Sequence, residues 1–342
     1  MSTVNPLQGS VIVVIPGDLH LTQPGLENHR TAGWMVDQVN HWIRPDFVQF
    51  IGDNVQNAEE DEFQLFRDLR GRLTVPSHAL VGDHDVGEDS SIERFTKHVG
   101  EAYGAVSKHG FRFIHLNTLE FAPVGLSSEQ LSWFRDEVDR SLAVDERVVV
   151  FQHHYPYKVY EEFAGPGIDG WREIVQTRRI KAIFTGHTHY GQIANDGRNV
   201  AITTRSIGDP EGGPPGYAIA YLRGDDLALT YRSTEDRGPV ALITHPSDLL
   251  LATGREHIVT GLDWIHVRVW PIAAIRDVRA RLDGGMWFPL RMAGTNDTNE
   301  WVHALDGEML AKGEHQLEVE VVDDDGLKAS DEIIFQVDPT GR

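Results

Sequence analysis

The chain contains no cysteine, which excludes disulfides, thiolate metal sites and cysteine nucleophiles together. That absence agrees with a reducing compartment, and a cytoplasmic location is expected. Long hydrophobic runs are also missing. The longest is the six residues Tyr217–Leu222, far below the ~20 that a membrane-spanning helix needs, so no membrane partner is expected. The opening Met1-Ser-Thr-Val-Asn-Pro6 has neither the basic nor the apolar stretch of a secretory leader. Positive charge is scarce. Against 31 Lys and Arg stand 52 Asp and Glu, a formal net charge of −21. A surface this acidic repels phosphate backbones, so nucleic acid is not an expected partner. Histidine, by contrast, is plentiful at 17 residues, and imidazole together with carboxylate forms a ligand set for Mn, Fe, Zn or similar divalent ions.

A length of 342 residues exceeds what one hydrophobic core usually serves, so two domains are expected. Over the first ~235 residues, short apolar runs alternate with helical periods, the pattern of βαβ units and a largely parallel sheet. Val11–Ile15, Phe47–Ile51, Ser77–Val81, Phe111–Leu116, Val148–Phe151 and Ile180–Thr185 read as strands. Glu27–Ile43, Glu59–Leu69, Ser128–Leu142 and Trp171–Thr177 read as helices, the third capped by Ser127 or Ser128. Residues 192–232 then read as short antiparallel strands with turns at Asn195-Asp-Gly197 and Gly224-Asp-Asp226. After Arg237-Gly-Pro239 the texture changes to pure alternation, as in Trp264–Trp270, Val278–Leu282, Leu317–Val321 and Ile334–Val337. We therefore expect an α/β domain over residues 1–236 and an all-β, immunoglobulin-like sandwich over 237–342. Dimerisation, capping of the site and partner binding are all open as roles for the second domain.

Ligands of open parallel sheets sit at the carboxyl ends of strands. Five of the expected strands end in a block of the same character. Gly17-Asp18-Leu-His20 comes after the first, Gly52-Asp53-Asn54 after the second and Gly82-Asp83-His84-Asp85 after the third. Gln152-His153-His154-Tyr-Pro156 comes after Val148–Phe151, and Gly186-His187-Thr-His189 after Ile180–Thr185. Each block alone reads as an ordinary loop, and even Gly-His-x-His is expected by chance about 0.08 times at this composition. Five blocks in order at five strand ends predict one Asp/His rim that grips metal.

This order and spacing resemble the calcineurin-like metallophosphoesterase superfamily, whose pattern is Asp-x-His, Gly-Asp, Gly-Asn-His-Asp/Glu, a lone His and Gly-His-x-His. The resemblance covers residues 11–232 and looks closest to the branch with class III cyclic-nucleotide phosphodiesterases. It implies a four-layer β-sandwich flanked by helices, two divalent ions, and a small phosphoester substrate. Diester hydrolysis by a hydroxide bridging the two ions would be favoured over monoester hydrolysis, and a metal-free scaffold is the competing class. Carried over by residue, Asp18, His20 and His189 would hold one ion, Asp83, His154 and His187 the other, and Asp53 both. His84 would act as general acid or phosphate clamp, with Asp85 orienting its ring. Relatives place the ligand two residues before the proline, which favours His154, with His153 as the alternative. Asp83 departs from the family's Asn, and three carboxylates against two divalent cations leave a net +1.

Features outside these blocks read more weakly. Tyr155, Tyr157, Tyr160 and Phe163 form either an aromatic wall for the substrate or an ordinary packed loop. His29 and Asn54 are expected in surface or packing roles, Asp323-Asp-Asp-Gly326 in a turn rather than a calcium site, and Trp264 and Trp270 in core or interdomain contacts.

Overall fold

The computed structural model describes residues 9–87, 91–122, 124–157, 163–294 and 299–340. The chain divides into two compact units, Met1–Ile219 and Ala220–Arg342. The division lies within a strand of near-continuous apolar sequence, earlier than the change of texture at residue 237.

In the first unit, Val-Ile-Val-Val-Ile-Pro is buried throughout as β1 (Val11–Pro16). The helix α1 (Glu27–Gln38) continues into a π-helical turn over Val39–Ile43 that ends at Arg44 in the left-handed region, ahead of Pro45. Then come β2 (Phe47–Phe50) and α2 (Glu60–Arg70). A capping box between Glu59 and Glu62 starts α2, and its Phe63, Phe66 and Leu69 are buried. Next along the chain are β3 (Ser77–Ala79), a 3₁₀ turn at Asp83–Asp85, α3 (Glu93–His98), β4 (Gly104–Lys108) and β5 (Phe111–His115). The turn, α3 and β4 were not legible from periodicity. The helix α4 (Ser128–Ala143) is capped by Ser127, whose side chain accepts the Gln130 N–H. The unit continues with β6 (Arg147–Phe151), α5 (Ile168–Thr177), β7 (Ile180–Thr185), β8 (Gln192–Asn195), β9 (Val200–Thr203) and the start of β10 (Gly216–Arg223).

One sheet runs β10-β1-β2-β3 and the other β4-β5-β6-β7-β9-β8; the next strand, β11 (Asp226–Ser233), belongs to the second unit. The β1-β2-β3 and β5-β6-β7-β9 neighbours are parallel. The two sheets meet face to face, with the Phe47 ring 5.0 Å from Phe113 and 6.4 Å from Phe151. On the outer face of the second sheet, Phe134 and Val138 of α4 and Trp171 and Ile174 of α5 pack on Ile114, Val148, Val150 and Ile183. The result is a mixed α/β sandwich whose parallel strands deliver their carboxyl ends to one rim.

The second unit is all strand apart from single 3₁₀ turns among the described residues. After β11 its strands are β12 (Val240–His245), β13 (Ile258–Val259), β14 (Leu262–Trp270), β15 (Ile275–Leu282), β16 (Phe288–Pro289), β17 (Arg291–Met292), β18 (Glu300–Asp306), β19 (Gly313–Asp323) and β20 (Lys328–Val337). They form two sheets, β12-β14-β18-β17 and β13-β20-β19-β15-β16. Alternate residues such as Ile265, Val267, Val269, Val319, Val321 and Phe335 enclose one core. Trp270 is fully buried, whereas Trp264 is partly exposed beneath Arg291. Asp323-Asp-Asp-Gly326 is the β19–β20 turn, with the Asp323 carboxylate accepting the Leu327 N–H at 2.8 Å. No helix of the described residues is long and apolar enough to cross a membrane.

Candidate metal centre

The rim behind β1, β2, β3, β6 and β7 gathers two groups of donor atoms. Asp53, Asp83, His153 and His187 form one, and His20, Asp53 and His84 the other; within each group the donors lie within 4.8 Å of one another. Asp53 belongs to both. Its Oδ2 lies 3.4 Å from His153 Nε2 and 3.8 Å from His20 Nε2, while Oδ1 accepts the His84 N–H at 2.9 Å. Asp83 Oδ1 sits 2.9 Å from His153 Nε2 and 3.0 Å from His187 Nδ1. His189 joins through its Nε2, 3.1 Å from His20 Nε2. Asp18 lies beneath, its Oδ1 accepting the His187 N–H at 3.1 Å and standing 3.6 Å from His153 Nδ1.

The backbone is bent to achieve this. His20, Asp53, His187 and His189 account for four of the nine non-glycine residues with positive φ among those described, at 48°, 48°, 68° and 60°. Such conformations cost roughly 1–3 kcal/mol each and survive where the surroundings impose them. Two motif glycines make room. A Cβ at Gly82 would lie 2.1 Å from the Asp53 nitrogen, and one at Gly186 would lie 2.6 Å from Asp18 Oδ1.

Electrostatics agree with a cation-binding role. Burial pushes the Asp18 carboxyl up, opposed by His153. Against their own burial, Asp53 and Asp83 are held below the usual carboxylate range, chiefly by His153, which is itself raised well above an ordinary histidine. Asp18 Oδ2 is buried with no hydrogen-bond partner among the described residues. An orphaned carboxylate oxygen among imidazoles and carboxylates is the kind of group that a divalent ion satisfies, so the donor set fits a metal pair.

Several expected residues sit differently. His153, rather than the favoured His154, brings its Nε2 to Asp53 and Asp83. Its Nδ1 contacts the Ile51 carbonyl at 2.9 Å, which fixes the ring. The His154 Nδ1 is instead 2.7 Å from the Thr118 hydroxyl, and burial keeps His154 well below the normal histidine range. Of the two histidines that follow Gln152 after the end of β6, the first is thus the one that faces the two carboxylates. Asp85, expected to orient the His84 ring, does not touch it. Its fully buried carboxylate collects the N–H groups of Asn54, Val55 and Gly82 and the Asn54 amide, at 2.8–3.2 Å. Burial pushes it up to about 7. Asp85 thereby ties the second block to the third. The His84 ring is held instead by Gln56, whose carbonyl oxygen is 2.8 Å from Nδ1. Burial lowers the His84 basicity, but Asp53 and the Gln56 carbonyl outweigh it and the net shift is upward.

Gln56, Thr118 and Asn28, whose amide donates to the His20 carbonyl at 2.6 Å, were missed. A lone amide or hydroxyl near a motif carries no sequence signal, although Gln56 lies only three residues past Asp53. Of the aromatic residues considered, Tyr155 and Tyr157 stack edge to face, and the Tyr157 hydroxyl donates to Asp196 at 3.1 Å. Phe163 packs in the core against Trp171, and Tyr160 lies outside the described residues. His29 accepts the Gly25 N–H and Asn54 serves Asp85 and the Leu80 carbonyl, both packing roles.

Comparison with known proteins places this arrangement. Residues 12–191, more than half of the chain, match the family described as calcineurin-like phosphoesterase. The chain belongs to that family of phosphoesterases. It is similar to the curated protein named "Probable glycerophosphodiester phosphodiesterase GpdQ" from Arcobacter nitrofigilis, with 25% identity over 198 residues covering 52% of this chain and 72% of that protein. Among solved structures it resembles a dimetal phosphatase from Danio rerio, with a TM-score of 0.55 and 14% identity over 65% of this chain and 96% of that one. It also resembles the purple acid phosphatase PPD1 of yellow lupin, with a TM-score of 0.51 and 14% identity over 67% of this chain and 52% of that one.

Proposed function

We propose that this chain is a phosphodiesterase acting on a small diester. In this reading Asp18, His20 and His189 hold one divalent ion (Mn, Fe or Zn), Asp83, His153 and His187 hold the second, and Asp53 is shared. The observation that carries it is the membership of Asp53 in both donor groups. When bound, such a metal pair acidifies water and neutralises phosphoryl oxygens. The protein's part is positional. The Gln56 carbonyl takes the Nδ1–H of His84, which leaves Nε2 for the substrate, either to protonate the departing alkoxide or to clamp a phosphoryl oxygen.

Charge favours the diester. Three carboxylates against two divalent ions leave +1 before any hydroxide is counted, so a monoanionic diester builds up less excess negative charge than a monoester of about −2. Beside His84 opens a cleft of about 960 Å³ whose walls include Glu59 and Glu93 against the single guanidinium of Arg94. These acids penalise a dianion further, and the volume leaves room for two ester groups. The curated relative named as a phosphodiesterase supports the same reading. We read the second unit, with two sheets around one core, as an immunoglobulin-like sandwich.

The test uses chain stripped with chelator and reloaded with Mn²⁺. We expect kcat/KM for bis-p-nitrophenyl phosphate to exceed that for p-nitrophenyl phosphate by at least ~10-fold. A monoester preference overturns the diester reading. Absence of metal-stimulated hydrolysis of either compound overturns the enzyme reading in favour of a scaffold.

A further inference from the structure

We infer that the second unit binds a small tetrahedral oxyanion of the phosphate class, in a cavity of about 370 Å³ between the β11–β12 connection and the start of β20. This inference is independent of the hydrolase reading. Arg232, Arg237 and Lys328 line the cavity together with two carboxylates, Asp236 and Glu320. Three positive and two negative charges leave an excess of one, in a chain whose net charge is −21.

The charge of Glu320 is shared with a cation outside the lining, Arg279, as well as with Lys328. Glu320 accepts from Arg279, outside the cavity, at 2.5 and 3.1 Å and from Lys328 at 3.1 Å. Asp236 Oδ2 accepts the Ser233 N–H at 2.7 Å. Arg237 has no hydrogen-bond or ion-pair partner among the described residues and is exposed to the cavity mouth. Arg232, only 4% exposed, forms part of the wall, with one nitrogen donating to the Gly238 carbonyl at 2.9 Å. The hydroxyl residues Thr230 and Ser330 add donors.

The cations are held together by a tight glycine. A Cβ at Gly238 would lie 2.7 Å from the Lys328 carbonyl oxygen, so only glycine lets the connection press onto β20 and bring Arg237 beside Lys328. Paired guanidinium forks and an ammonium in a concave, donor-rich site suit phosphate oxygens. An apolar or cationic ligand would find little in this lining.

The experiment uses the full chain treated with chelator, so that phosphate cannot be held through metal at the first unit. Equilibrium dialysis against inorganic phosphate should give one saturable site per chain. Arg237→Glu combined with Lys328→Glu, both at exposed positions and with folding checked by circular dichroism, should weaken it at least ~10-fold. Sulfate should compete and acetate should not. No saturable binding below about 10 mM, binding unchanged in the double variant, or equal competition by acetate would each overturn the assignment.

Discussion

The Nε2 atoms of His20 and His189 face each other at 3.1 Å across 169 positions of sequence. Two nitrogens each about 2.1 Å from one ion would stand roughly 3.0–3.4 Å apart for ligand angles of 90–109°. The separation therefore matches that of two ligands of one cation. His189→Ala should lower the metal content of the purified chain from two ions to one, whereas Asp53→Ala should lower it to nearly none. Elemental analysis after gel filtration reads both. Two ions retained by Asp53→Ala would refute the shared role.

The adjacent histidines at the end of β6 separate cleanly. His153→Ala removes the nitrogen that meets both Asp53 and Asp83 and should cost the second ion, with a fall in kcat of about 10³-fold. His154→Ala removes a ring bonded to Thr118 and should keep both ions, losing mainly thermal stability. The opposite pattern in metal content would restore His154 as the ligand.

His84→Ala should retain metal and lose about 10²–10⁴-fold in kcat on substrates with alkyl leaving groups. The loss should be much smaller for p-nitrophenolate, which leaves without a proton. Equal losses on both would assign His84 to clamping phosphoryl oxygen rather than to proton donation.

Asp83→Asn tests the charge argument. A neutral amide raises the site from +1 to +2, so the second ion should bind more weakly, by about 10-fold. Hydrolysis of the monoester should rise relative to the diester. Isothermal titration with Mn²⁺ and the ratio of the two kcat/KM values are the readouts, and no change in either would refute it.

In the second unit, His245 lies between Asp226, at 3.0 Å from Nδ1, and Asp263, at 3.2 Å from Nε2. Burial lowers its basicity, but the two carboxylates outweigh this and raise it to about 10. A folded-state value above the unfolded one stabilises fully below pH ~6.5 and is lost as pH climbs through about 10. His245→Gln should therefore destabilise by about 3 kcal/mol near pH 6 and by far less above pH 10, read from paired thermal melts. An equal loss at both pH values would mean that the ring packs without carrying charge.

The strands and long helices of the first unit were legible because burial on one or both faces writes a period into the sequence. Ile180–Thr185 is as read, and of the two serines considered as cap, Ser127 or Ser128, the structure uses Ser127. The helix α3 and the strand β4 were not, since six and five residues are too few to establish a period. The site was legible through its glycines and its Asp and His blocks. Its supporting atoms were not. The Gln56 carbonyl and the Thr118 hydroxyl act through position alone, and nothing in a main-chain oxygen or an isolated threonine marks it in advance.

By itself the sequence determined which chemistry is present: carboxylates and imidazoles at strand ends, no thiols, and an excess of negative charge. Only the tertiary structure decided which nitrogen of which histidine reaches the rim, and that Asp85 braces the backbone instead of the His84 ring. The reason is geometric. Ligand identity follows from side-chain chemistry, which each residue carries on its own. Ligand direction follows from backbone dihedrals such as the 48° of His20 and Asp53, which only packing from distant parts of the chain can impose.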